Sequence, residues 1–535
     1  MPSCSGGPAS ARERWLQQTN GLPRSVALAF FLVAWLESFP TTAVTALLTD
    51  DIGMSLSTIT TYYAFTFLPF MWKPAFGWLS DQFPVLGFHR IPYIAGSALG
   101  CVAGYLMFAF WVRSVWQAFV ATLCLNSCVC FMQLMLGGFL VDIARQDLSN
   151  SVALQSAVNA AQWSGTLVAQ IMALACYAHG GGASGGAVIN ARPAIAMTAV
   201  APALIALMVP CLPEKRVTST PACHHCCKLQ REEACFAGTV ALLQGNLVLI
   251  GCQSMMAFHI WWRSVAVALV ASACVLAVAY LPGRCRAERQ ATATPILQAS
   301  EESQQSTWWW VRLCLFCFAA NAIPKSSVAV GQFQYAVFTA AGYQALSIIS
   351  SMASVTASLV FGRAFNRKGF VSIIALSALV AAAAGLAPWP FVSVALHQDG
   401  MRHDLWSTAG LLGVAATTLG AFASLFAVLP VDALVTSASG SVGVDRSCTA
   451  YAAFLACYNF GATVSGLVTS PLLEALGLDG RDWTALPSWI AATSAAKLLL
   501  LLFLPLLPPP RAPAAGPGSR SELEVGADGD ESDAR

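Results

Sequence analysis

Apolar stretches of about twenty residues recur along most of this chain, with short polar segments between them. A helix rising about 1.5 Å per residue needs about 20 residues to cross the hydrocarbon of a bilayer. Inside lipid the backbone must satisfy its own hydrogen bonds, so only helices and closed barrels span it. Runs this long and this uniformly apolar select helices. Charge points the same way: 10% of the 535 residues are charged, against about 25% in an ordinary soluble domain. So few charges cannot cover a water-exposed surface of this size. The expected class is an all-α polytopic membrane protein.

Spans are expected near 25–49, 57–80, 91–111, 115–142, 152–178 and 192–212, then near 236–256 and 263–282. Six more follow near 307–327, 332–361, 371–395, 406–435, 447–474 and 485–507. The total is fourteen, or twelve if the 236–282 pair does not insert. The first run is too long for the apolar region of a signal peptide. The chain divides into an N-terminal segment 1–24, a six-helix bundle 25–212, a linker 213–306 with two extra spans, a second six-helix bundle 307–507, and a tail 508–535. That tail is rich in Pro, Gly and acidic residues, a composition expected to be disordered.

Basic residues orient the bundle, because cytoplasmic loops carry the excess of Lys and Arg. Arg12, Arg14 and Arg24 precede the first span, Arg90 follows the second, and Lys215, Arg216, Lys228 and Arg231 follow the sixth. Arg284, Arg286, Arg289, Arg363, Arg367 and Lys368 fall on the same side. Both termini are therefore expected in the cytoplasm, with the loop at 178–192 outside. The plasma membrane is the default location, an organelle the alternative. The formal net charge of +2 is scattered over short loops and gives no basis for nucleic-acid binding. Most of the eighteen cysteines lie within apolar runs, where a thiol acts as a small apolar residue. "CHHCCKLQREEAC" (Cys223 to Cys235) has metal-ligand residue types, but they are too crowded for structural zinc spacing. No metal or cofactor is expected.

The chain also repeats. "GGFLVDIARQDLSNSVALQSAVNAAQWSGTLVAQ" in the first half shares its plan with "FAVLPVDALVTSASGSVGVDRSCTAYAAFLACYNFGATVSGL" in the second. Each has Val-Asp near the end of a span (Asp142, Asp432), a polar turn, then an Ala-rich span with Asn and Gly. "AFGWLSDQFPVLGFHR" is matched by "VFGRAFNRKGF". Two six-helix halves with a site between them near the midplane are the architecture of major facilitator transporters. "GWLSDQFPVLGFHR" resembles the Gly-x-Leu-x-Asp loop of that superfamily. The fuller "LPFMWKPAFGWLSD…GFHRIPYI", with "VDIARQ" and "YAAFLACYNFGATVSG", resembles the folate–biopterin transporter family over about residues 25–212 and 307–507. Two places depart from its pattern: tryptophan directly precedes Lys73, and Asp432 stands where an uncharged residue is expected.

Ionisable residues within spans are costly and tend to face the bundle interior. Pro69, Lys73, Gly77 and Asp81 recur at steps of four and lie along one face of a helix. Gly77 lets a neighbouring helix approach. Asp81 can bond loop amides or pair with Arg90, and the resemblance makes this hairpin a gate, with Gly362 and Arg367 its counterparts. Lys73 either snorkels to the interface or attracts an anionic group of the substrate. Glu37, central in the first span beside Pro40, is the first candidate for proton coupling or substrate contact. Asp142 and Arg145 stand one turn apart, as a local pair or, by resemblance, as functional groups. Asp432 can equally be a residue of a cytoplasmic helix end. Asn159, Gln162 and Trp163, with Tyr458 and Asn459, offer the amides and aromatic faces that a pteridine ring needs. Lys325 is expected near the outer end of its span, where an anion-attracting role is open, and the tryptophans at 308–310 in an interfacial belt.

The resemblance implies a secondary transporter of folates or pterins. Bringing folate in against a negative interior is opposed by about 2.3 kcal/mol per charge per 100 mV, which coupling to protons would offset. The partners expected are a small-molecule substrate, H+ and the lipid bilayer, with the chain as a monomer. S-adenosylmethionine or another cationic or aromatic metabolite is an alternative cargo, and a non-transporting sensor an alternative class. No phosphate-binding Gly-x-x-x-x-Gly-Lys motif and no catalytic constellation is visible, so an enzyme is not expected.

Overall fold

Two of the helix breaks fall at prolines of the apolar runs, Pro40 and Pro324. The computed structural model describes residues 22–53, 62, 68–145, 151–177, 191–214, 216, 297–338, 340–365, 369–397, 405–440, 447–478 and 482–507. The expected extra pair at 236–282, the Cys/His-rich segment, Arg367 and the C-terminal tail lie outside the described residues.

In the first half, α1 (Arg24–Ser38) stops at Pro40, and the chain resumes as a helix over Thr41–Ala46. Then come α2 (Lys73–Gln82), entered through a 3₁₀ turn at Leu68–Trp72, α3 (Ile91–Phe110), α4 (Val115–Ala144), α5 (Ser151–Tyr177) and α6 (Ala191–Cys211). The second half has α7 (Trp310–Gln334), α8 (Ala340–Phe365), α9 (Phe370–His397), α10 (Thr408–Gly440), α11 (Ser447–Ala475) and α12 (Leu486–Leu506). Eight of these are long and apolar enough to cross a membrane by length and composition alone.

One expected boundary moves. The sequence reading ends the seventh span near 327 and begins the next at 332, but the helix resumes at Ser327 and runs to Val337. Pro324 breaks α7 without ending it, since proline removes one ladder bond and neighbouring helices can hold the freed backbone.

The packing repeats between the halves. α1 lies on α5, and α7 lies on α11. Each contact depends on a glycine: a methyl group at Gly165 of α5 would collide with the Phe31 carbonyl oxygen, and one at Gly461 of α11 with that of Phe318. Between halves, α2 crosses α11 and α8 crosses α5. A methyl group at Gly77 would stand 2.9 Å from the Cys448 carbonyl oxygen, and one at Gly362 would stand 2.8 Å from the Ser156 Cβ. The close approach expected at Gly77 is thus matched by an equivalent crossing at Gly362. Backbone cannot retreat as a side-chain tip can, so Gly461→Ala is expected to cost about 3 kcal/mol, the upper end for overpacking. Gly466 in the same helix has nothing within 4 Å of such a methyl. In detergent, Gly461→Ala should melt lower than the parent protein, and Gly466→Ala should melt no lower; equal melting of the two would refute the close-packing argument.

Trp310 is half-buried and stacks on Phe454 of α11, with centroids 4.9 Å apart and planes 12° from parallel.

Candidate functional site

Two groups of polar residues lie between the halves. The first is built around Lys73, where the 3₁₀ turn passes into α2. Its side chain is 6% exposed, with the ammonium 5.0 Å from the centre of the Phe70 ring. It interacts electrostatically with Glu37 from α1 and with Asp432 from α10, one carboxylate from each half. Glu37 is solvent-accessible yet densely surrounded by protein, the combination expected of a side chain facing an internal cavity. Gln133 Nε2 of α4 donates to Glu37 Oε1 at 2.6 Å. The Gln155 side chain of α5 lies beside the Asp432 carboxylate, and Thr436 Oγ1 donates to Gln155 Oε1 at 3.5 Å. Tyr451 and Tyr458 of α11 also feel the charge of Asp432. Glu37 therefore has an amide partner, and both carboxylates lie within electrostatic reach of the one ammonium.

Asp432 is eight residues before the end of α10, about 12 Å along the axis. This corrects its reading as a helix-end residue, and it parts Asp432 from its sequence counterpart Asp142, two residues from the end of α4. The shared Val-Asp dipeptide does not mark equivalent depths.

The second group closes the side on which the α2–α3 loop lies. Arg90 is 3% exposed. Its Nη1 donates to Asp81 Oδ1 at 3.4 Å, its Nε to Asp142 Oδ2 at 3.1 Å, and its Nη2 to Ser447 Oγ at 3.5 Å. Asp81 Oδ2 in turn accepts from Thr449 N at 2.7 Å and Thr449 Oγ1 at 2.8 Å. The first amides of a helix have no intrahelical partner and favour a negative charge, so Asp81 caps α11 across the interface. Arg145 Nε donates to the Gly440 carbonyl at the end of α10, 3.1 Å away. Four residues of the first half thus hold the ends of α10 and α11. The loop is fixed from behind: Glu214 accepts from the amides of His89, Arg90 and Ile91 at 2.7, 2.9 and 2.8 Å. A turn at Leu86–Gly87, both with positive φ, returns the chain to Arg90.

Residues 36–516 match the family model described as the BT1 family. The chain belongs to the BT1 family. A curated relative, the folate-biopterin transporter of Synechocystis sp., is 30% identical over 130 residues, 24% of this chain and 26% of that protein. The chain thus aligns with about a quarter of that relative's length. Among solved structures, the human organic anion transporter MFSD10 is similar with a TM-score of 0.56 at 15% identity, over 90% of this chain and 98% of the other. The proton:xylose symporter XylE is similar with a TM-score of 0.55 at 12% identity, over 90% and 94%. These likenesses show the major facilitator fold. This BT1 member is an integral membrane protein with that fold.

Of the BT1 chain's candidate residues, the structure brings Glu37 and Lys73 together, and separately Asp81, Arg90 and Asp142. Lys73 is buried in the interior and does not snorkel. Asn159 is buried beside the centre, with Nδ2 donating to the Gln155 carbonyl at 3.1 Å. Asn459 is next to Tyr458, its Nδ2 buried without a hydrogen-bond partner among the described residues. Trp163 packs into an apolar cluster with Phe361, Phe426 and Leu429 of the other half and is not joined to the charged centre. Gln162 is half-buried on α5. Gln133, Gln155, Tyr451 and Glu214 escaped the sequence reading, as did the glycine pair of α4: side chains there would meet the Tyr451 ring (Gly137) and the Arg90 guanidinium (Gly138). Only that "GG", directly before the aspartate-bearing turn, was a visible signal.

Proposed function

We propose that this BT1 transporter carries folates or unconjugated pterins by alternating access, coupled to protons at the Glu37–Lys73–Asp432 centre. The observation that carries this reading is one buried ammonium facing a carboxylate from each half. When the halves rock, the distances from Lys73 to Glu37 and to Asp432 change in different ways, because one partner moves with it and the other does not. A cargo anion or a proton arriving there changes which pairing is favoured, and a ligand shifts a conformational equilibrium only through such differential contact. The amides of Asn159 and Asn459 and the rings of Tyr451 and Tyr458 supply the hydrogen bonds and flat surfaces suited to a pteridine. In this reading the α2–α3 loop is cytoplasmic, as are both termini, and the protein works as a monomer in the plasma membrane.

Labelled folate and biopterin uptake, in cells lacking their own carriers, tests the cargo at mildly acidic and neutral external pH. Uptake should be faster at the acidic pH. Glu37→Gln keeps the bond geometry but cannot exchange a proton, so it should flatten that pH dependence and lower uptake about tenfold or more, the scale of a lost charge-assisted hydrogen bond. Unchanged pH dependence in Glu37→Gln would remove it from the coupling role. Two carboxylates to one ammonium also suit a cation, which makes S-adenosylmethionine the cargo to measure beside the other two.

A further inference from the structure

The second half contains two lysines that the charged centre does not use. Lys325 lies at the break in α7, between Ala322 and Ser327, and its ammonium donates to Asn321 Oδ1. Lys497 lies where α12 changes from α to 3₁₀ helix, and its Nζ donates to the Ala381 carbonyl of α9 at 3.1 Å. α7 and α9 both pack against this part of α12. The two lysines thus stand on helices packed against each other, and neither has a carboxylate within ion-pair distance among the described residues. Their depths are similar: Lys325 is twelve residues before the helix ends at Val337 and Lys497 eleven after the start of α12, about 18 and 16 Å along their helices.

Cations within spans and without a counter-charge are costly, and such groups mark ion or substrate pathways. Independent of charge, Ser494 is one turn before Lys497, 2% exposed, and its hydroxyl has no hydrogen-bond partner among the described residues. A methyl group at Gly385 would stand 2.6 Å from Ser494 Oγ and 2.7 Å from Lys497 Nζ. Hydroxyl and ammonium therefore converge over one glycine, with two further donors left on each ammonium. A chain of contacts joins this place to the centre: Asn321 Nδ2 donates to the Tyr458 carbonyl at 3.1 Å, and Tyr458 senses Asp432.

We infer that Lys325, Lys497 and Ser494 form an anion subsite that receives a carboxylate of the cargo while its flat ring occupies the centre beside Asp432. The inference rests on the pterin–folate reading and adds a specificity device to it. The lysines distinguish carboxylate-bearing folate from uncharged biopterin.

The test is uptake of labelled folate and biopterin by purified protein in phosphatidylcholine vesicles, with and without phosphatidylglycerol. In Lys325→Gln/Lys497→Gln the KM for folate should rise about tenfold or more, while biopterin uptake changes less than about twofold. Lys325→Arg/Lys497→Arg, which keeps both charges, should recover most of the folate affinity. Equal loss of both cargos, or no change in folate KM, overturns the subsite. A defect present only with phosphatidylglycerol would make the bound anion a lipid headgroup and overturn it too. Wild-type protein that carries neither compound refutes the pterin–folate reading and the subsite with it; wild-type uptake of both with a failed variant arm refutes the subsite alone.

Discussion

Lys73→Met should reduce cargo uptake at least about 100-fold while the protein still reaches the membrane folded. Truncating one partner of a buried charge group typically costs about 3–5 kcal/mol, and each 1.4 kcal/mol is a factor of ten. The helix itself should survive. Gln133 still bonds Glu37, Gln155 still lies beside Asp432, and methionine fills the volume against Phe70. The loss should fall on the transport cycle, which needs a cation that both halves can reach. Asp432→Asn should be nearly as damaging, and the double variant Lys73→Met/Asp432→Asn little worse than Lys73→Met alone, because groups sharing one interaction are not additive. Uptake measured per molecule at the cell surface checks this. Independent, additive losses would show that Lys73 and Asp432 act apart.

Arg90→Ala should weaken the closure on the α2–α3 side. Arg90 ties Asp81, Asp142 and Ser447 together, but the contributions are unequal. Asp81 keeps both Thr449 bonds without it, and Asp142 is 39% exposed, so solvent already screens that pair. A shift of about 2 kcal/mol is reasonable, or ~30-fold in the balance of the two arrangements. Cys448 reports on it: its thiol is fully buried beside Arg90, at the start of α11. With Cys448 as the last remaining cysteine, N-ethylmaleimide should label Arg90→Ala at least about tenfold faster than the parent protein. Equal labelling rates would mean that the helix crossing at Gly77, and not the charges, holds this side closed.

Most of the fold was legible because lipid leaves few options. Span length, loop charge and the Gly-x-Leu-x-Asp hairpin each reflect a local rule, and the steps of four from Lys73 through Gly77 to Asp81 correctly predicted one inward face. The Asp81–Arg90 pair was legible for the same reason, since the two residues are nine apart. The centre was harder. Gln133 and Gln155 are single amides on long apolar helices, indistinguishable in sequence from packing residues. Asp432 was misplaced because a matching dipeptide was read as a matching depth. Lys497 gave no local signal, and its meaning arises only because α12 lies against α7 and α9. Trp163 shows the converse: an aromatic residue suited to stacking on a ligand packs one half against the other.

The most direct test of the account is accumulation of labelled folate and biopterin by purified protein in sealed vesicles under an imposed pH gradient, acidic outside. The account predicts accumulation of at least one compound above its external concentration, abolished when the gradient is collapsed and in Lys73→Met. Equilibration to the external concentration regardless of the gradient would contradict proton coupling, and no uptake of either compound in any gradient would contradict the cargo.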